Sequence, residues 1–101
     1  MQVVVDREGQ WARMRLIGRF DLTAHLTFRN ATRPLLAEAG LEGIEIDFQK
    51  VPYIDSTALG LLLLLRELAQ QAGKALVLKN CGPELTRVLT ASQFHRLFRI
   101  E

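Results

Sequence analysis

"VPYIDSTALGLLLLLRELAQ", residues 51–70, joins three small polar residues, Asp55, Ser56 and Thr57, to a helix-length segment with five consecutive leucines. Placed at ~100° per residue, Ala58, Leu61, Leu62, Leu65, Leu68, Ala69 and Ala72 gather on one side, a stripe wide enough to cover a sheet. Gly60, Glu67, Gln70 and Gln71 take the opposite side. The spacing predicts a helix from about Thr57 to Ala72, closed by Gly73. Leu59, Leu63 and Leu64 fall outside the stripe, at the edges of the polar face or within it.

The flanks of this helix carry strand patterns. "GIEIDFQKV" before it alternates Ile44, Ile46 and Phe48 with Glu45, Asp47 and Gln49, and "KALVLKN" at 74–80 follows as a short apolar strand. Upstream, "VVV" at 3–5 and "ARMRLIGRF" at 12–20 read as strands around a turn at Glu8-Gly9, with Met14 and Leu16 alternating against Arg13 and Arg15. Phe28, Ala31, Leu35 and Ala39 fall at helical spacing before Gly40, and Pro34 predicts a kink there or a helix restarted near Thr32. Pro83 opens a further helix with Leu85, Val88 and Leu89 on its inner face. "FHRLFRI" at 94–100 reads as a last strand or capping segment. Alternation of this kind implies an α/β domain, a mixed sheet of four to five strands covered by three to four helices. The chain reads as one domain, residues 1–101.

Bulk properties agree. Apolar content of 49% and charged content of 24% suit a folded globular chain, and 101 residues suffice for one core. The net charge is +2, but the ten arginines scatter from Arg7 to Arg99 and form no footprint for nucleic acid. Cys81 stands alone, which excludes an internal disulfide and fits a reducing compartment. No signal peptide opens the chain, and the apolar run Ala58–Leu65 is far short of the ~20 residues that span a bilayer. The expectation is a cytoplasmic domain without membrane insertion. His25 and His95 lack partners at metal-ligand spacing and no Gly-rich phosphate loop occurs, so no cofactor, metal or catalytic role is expected.

Asp55, Ser56 and Thr57 can each cap the helix, since all three accept hydrogen bonds from first-turn amides. A capping serine can also be a modified one: phosphate there meets the positive end of the helix dipole and unpaired amides. Ser56 projects between Leu59 and Leu63 on the outer side, so charge added there would repel an apolar or acidic partner. Two readings of those leucines stay open: a docking surface with Gly60, or residues covered by a neighbouring helix or the C-terminal tail.

The order of elements and the motifs resemble the STAS domain, and within it the bacterial anti-sigma factor antagonists. "IGRFD" at 17–21 is similar to the family's turn after the second strand. "IEIDFQKVPYIDSTALGLLLLLRELAQQAG" looks like its central strand, Asp-Ser-Ser/Thr motif and following helix, and "LVLKNCGPELTRVLTASQFHRLFRI" its closing segments. The resemblance implies that Ser56 is phosphorylated by a serine kinase and that Asp21, Asp55, Thr57, Leu59, Gly60 and Leu63 serve kinase or partner recognition. It further implies an unphosphorylated form that binds an anti-sigma factor or a kinase with an ATPase-type fold, and a serine phosphatase, in one branch a response regulator acting in motility or biofilm control. Ala58 stands where the family usually has Gly, and the chain stops at Glu101 where many members continue into a helix. The competing expectation within the family is an accessory subunit of an ABC-type lipid transporter, although such subunits commonly carry Thr where Ser56 stands.

Overall fold

A computed structural model describes residues 1–101. Its elements are β1 (Gln2–Glu8), β2 (Trp11–Ile17), α1 (His25–Ala37), β3 (Gly43–Lys50), α2 (Ser56–Gln71), β4 (Ala75–Lys79), α3 (Pro83–Ala91) and β5 (Arg99–Ile100), with 3-10 turns at Leu22–Ala24 and Phe94–Arg96. The five strands lie side by side in chain order. β1 and β2 form an antiparallel hairpin, and the remaining pairs are parallel, with Met14 opposite Ile46, Ile46 opposite Leu78 and Leu78 opposite Ile100. Strands that advance in one direction through right-handed crossovers place all three helices on the same face.

That one-sidedness follows from the pattern in the strands. Ala12, Met14 and Leu16 of β2, Ile44, Ile46 and Phe48 of β3 and Leu78 of β4 are buried under the helices. α2 covers them with Ala58, Leu61, Leu62, Leu65 and Ala69, and α1 with Phe28, Thr32 and Leu35. The alternate residues face away and carry an ion-pair lattice across every strand. Arg13 of β2 meets Glu8 at 3.8 Å and Glu45 at 2.6 Å, Lys79 of β4 meets Glu45 at 2.9 Å and Glu101 at 3.7 Å, and Arg99 closes on Glu101. Trp11 lies over Gly43 on this face, where a Cβ would come within 2.6 Å of the indole, so only glycine fits.

Several elements differ from their sequence expectation. β2 ends at Ile17, three residues early, because Gly18 turns at φ 107°. α1 runs through Pro34 with no restart at Thr32, and it stops before Ala39, which is exposed. On α2 the buried stripe is narrower than expected: Leu68 is 38% exposed and Ala72 is the exposed C-cap residue. The tail is a 3-10 turn plus a two-residue strand rather than a strand from Phe94. Lys74, expected at a strand start, is buried, and its Nζ donates to the carbonyls of Glu38 (2.7 Å) and Leu41 (3.0 Å), tying down the α1–β3 loop.

Candidate functional site

Two loops at the carboxyl ends of β2 and β3 run side by side and build the mouth of α2. Gly18 N donates to Lys50 O (3.0 Å), Phe20 N to Tyr53 O (2.9 Å) and Asp55 N to Phe20 O (3.3 Å), so Phe20 and Ile54 pair as an isolated parallel bridge. Both are buried, and the Phe20 ring packs 4.8 Å from Phe28 and 6.4 Å from Phe48. Extended backbone alternates its side chains, so Arg19, Asp21 and Tyr53 emerge on the outer side of this anchored pair.

Asp55 alone caps the helix. Its Oδ1 accepts from Ala58 N (2.9 Å) and its Oδ2 accepts from Leu22 N (3.2 Å), so one carboxylate starts α2 and fixes the 3-10 turn of the other loop. Of the three residues able to cap, only Asp55 sits in the extended conformation (φ −109°, ψ −179°) that a cap needs. Ser56 is therefore the first helical residue, exposed, with its hydroxyl in no side-chain hydrogen bond. The amides of Ser56 and Thr57 are likewise unpaired, as expected of a first turn that offers only one cap.

Asp21 begins the 3-10 turn, accepting from Thr23 N (3.0 Å) and Thr23 Oγ1 (2.5 Å). The Thr23 hydroxyl holds this carboxyl below its ordinary value against the opposing pull of burial, with the Thr23 amide and Arg19 adding to it. Arg19 Nε lies 3.4 Å from Asp21 Oδ2, and its guanidinium carbon sits 4.5 Å above the Tyr53 ring. Asp21, Asp55 and Ser56 are thus brought to one corner, linked through Leu22.

Along α2, Thr57 is half-buried and Gly60 is exposed with open space beside it. Leu63 is 40% exposed, whereas Leu59 is half-buried and packs against the core. The two open readings therefore divide: Leu63 faces outward and Leu59 is covered. Arg66, two turns beyond Leu59 on α2, donates from Nε to Leu97 O at 2.8 Å and holds the C-terminal segment there. Leu64 and Leu68 line a notch of about 60 Å³ shared with Phe28, Arg29 and Arg33 of α1. A larger cleft of about 520 Å³ opens beside the site between Tyr53, Ile54, Leu85 and Val88.

Sequence reasoning missed Arg19 and Tyr53. Their signal was present, since each immediately precedes a residue buried in the bridge, Phe20 and Ile54. No helix of the chain is long and apolar enough to cross a membrane.

The family described as "Mlab, STAS domain" matches residues 3–99. A STAS-domain containing protein of Pseudomonas aeruginosa is 38% identical over 93 residues, covering 92% of this chain and 90% of the relative. Among solved structures, an anti-sigma-factor antagonist (STAS) domain protein from Planctomyces limnophilus superposes with a TM-score of 0.86 at 15% identity, covering 99% of this chain and 89% of that one. The Bacillus protein SpoIIAA, an anti-sigma factor antagonist, superposes in its unphosphorylated form with a TM-score of 0.76 at 18% identity, covering 98% and 86%. Its phosphorylated form gives 0.74 at 18% identity, covering 98% and 90%. At these identities the superpositions establish a shared fold. With the family match over nearly the whole length and the Pseudomonas relative beside it, this chain belongs to the STAS-domain family.

Proposed function

We propose that the protein is an anti-sigma factor antagonist switched by phosphorylation of Ser56, acting by binding rather than catalysis. The observation that carries this reading is the division of labour at the helix mouth: Asp55 does the capping, and Ser56 stands exposed with a free hydroxyl. A serine kinase transfers the γ-phosphoryl group of ATP to Ser56 Oγ, with the hydroxyl proton passing to a base on the kinase and ADP leaving. The product carries about −1.5 to −2 charges at neutral pH. It adjoins two unpaired amides at the positive end of α2, so the fold tolerates it, while Leu63 and Gly60 beside it no longer suit an apolar or acidic partner.

On this reading the unphosphorylated form works in the cytoplasm, sequestering an anti-sigma factor or a kinase-type regulator with an ATPase fold. A serine phosphatase, such as a response regulator, restores that form, and the output is sigma-dependent transcription, with motility or biofilm formation as candidate processes. Asp21, Asp55, Thr57, Gly60 and Leu63 form the recognition surface. Leu59 contributes by supporting it from below. SpoIIAA, known on this fold with and without phosphate, supports the reading.

Incubation with ATP and a cognate serine kinase, followed by mass spectrometry, is expected to map one phosphate to Ser56. Ser56→Asp is expected to weaken binding to the partner by tenfold or more, while Ser56→Ala binds constitutively. Equal affinities for the two variants would exclude the switch. A second reading, an accessory subunit of a lipid-transporter ATPase, draws on the apolar exposure of Leu63, Leu64 and Leu68, which suits a permanent interface. It predicts copurification with an ATPase and indifference to Ser56→Ala.

A further inference from the structure

Asp55 directly precedes Ser56, and Asp21 directly precedes Leu22, whose amide Asp55 holds, so a phosphate on Ser56 would face negative charge from this corner. Asp55 cannot retreat, because its two oxygens hold Ala58 N and Leu22 N. Asp21 is held by Thr23 through one oxygen and faces Arg19 through the other. Arg19 is the cation on these two loops with freedom to move. Its side chain is 66% exposed, and its contact with Asp21, at 3.4 Å, is longer than the 2.7–2.9 Å typical of a committed charge-assisted bond. His25, the next group able to carry positive charge along the chain, is half-buried at the start of α1.

Backbone geometry sets the direction of reach. The Phe20–Ile54 bridge holds the two loops parallel, and Arg19 leans forward along its own loop toward Asp21, the residue joined through Leu22 to Asp55. Ser56 follows Asp55 directly and is exposed.

We infer that Arg19 is the built-in counter-ion of phosphorylated Ser56: on modification its guanidinium leaves the Tyr53 ring and Asp21 and pairs with the phosphate. A guanidinium fork matches two phosphate oxygens, which a carboxylate contact at 3.4 Å does not exploit. One of the phosphate's charges would be offset within the molecule, leaving the remainder to repel an acidic partner, and the Tyr53 face, bordering the 520 Å³ cleft, would be uncovered in the same step. The inference rests on the reading of Ser56 as the phosphoacceptor.

The test uses the full chain with phosphoserine installed at position 56 during synthesis, so that no kinase or partner is required. The phosphate is titrated by phosphorus NMR in three backgrounds: the parent, Arg19→Gln, and Arg99→Gln as a control of equal net charge on the far face of the sheet. Its second ionisation, ordinarily near pH ~6, is expected to rise by roughly half a unit or more in Arg19→Gln and to stay put in Arg99→Gln. Arg19→Lys is expected to recover only part of the difference, since an ammonium lacks the fork. An unchanged titration in Arg19→Gln, or an equal shift in Arg99→Gln, overturns the inference. Whether a kinase modifies Ser56 at all is decided separately by the mapping experiment above.

Discussion

At the scale of single residues, the mouth of α2 separates a capping carboxylate from an exposed, unbonded hydroxyl. Asp55 satisfies an amide of its own helix and one of the neighbouring loop, so Asp55→Ala loses both. Loss of a side-chain cap typically costs about 1–2 kcal/mol. Ser56→Ala removes a hydroxyl with no partner and should change stability by no more than ~0.5 kcal/mol. Urea denaturation of the two variants checks this: comparable losses would mean that Ser56 shares in the cap. The sequence made the Asp-Ser-Thr triplet legible as a helix start, but it could not choose among three good capping residues. The choice depends on where the extended backbone stops. That point is set by the bridge between Phe20 and Ile54, two residues far apart in the chain.

At the scale of elements, α2 explains why its leucines resisted assignment. Periodicity finds the centre of a buried stripe, whereas the width depends on how closely neighbours approach its edges. α1 approaches one edge but leaves Leu64 and Leu68 at a shallow notch, while Leu59 packs against the core and the C-terminal segment is held farther along at Arg66. Pro34 lies on the exposed side of α1, where the Asn30 carbonyl that loses its donor is open to solvent. Two substitutions one residue apart test the assignment. Leu62 is fully buried, so Leu62→Ala is expected to cost about 2–5 kcal/mol. Leu63→Glu should leave the thermal midpoint within a few degrees of the parent while removing partner binding. Unfolding of Leu63→Glu, seen by circular dichroism, would instead assign Leu63 to the core.

At the scale of the whole molecule, the sheet is covered on one side by helices and on the other by charge. The strand alternation made both faces legible, but pairing across strands depends on register, which no single segment encodes. Three carboxyls are held below their ordinary range. Asp21 is held mainly by the Thr23 hydroxyl, and Glu38 mainly by its hydrogen bond from Arg7. For Glu45 burial pulls upward, and the hydrogen bonds from Lys79 and Arg13 outweigh it. A carboxyl whose folded value is depressed contributes stability above its unfolded value, and that contribution disappears as pH falls through the folded value. The unfolded reference for these groups is 3.8 for Asp21 and 4.5 for Glu38 and Glu45. Stability against urea should therefore be level from neutral pH to about 5 and fall progressively below it. Glu45 joins β2 to β4 through Arg13 and Lys79, so Glu45→Gln should flatten part of that acid limb. Added salt should reduce the difference between parent and variant, because the lattice is open to solvent and screened within ~10 Å at 0.1 M. An acid limb of the same slope in Glu45→Gln would mean that the lattice decorates the open face without linking its strands.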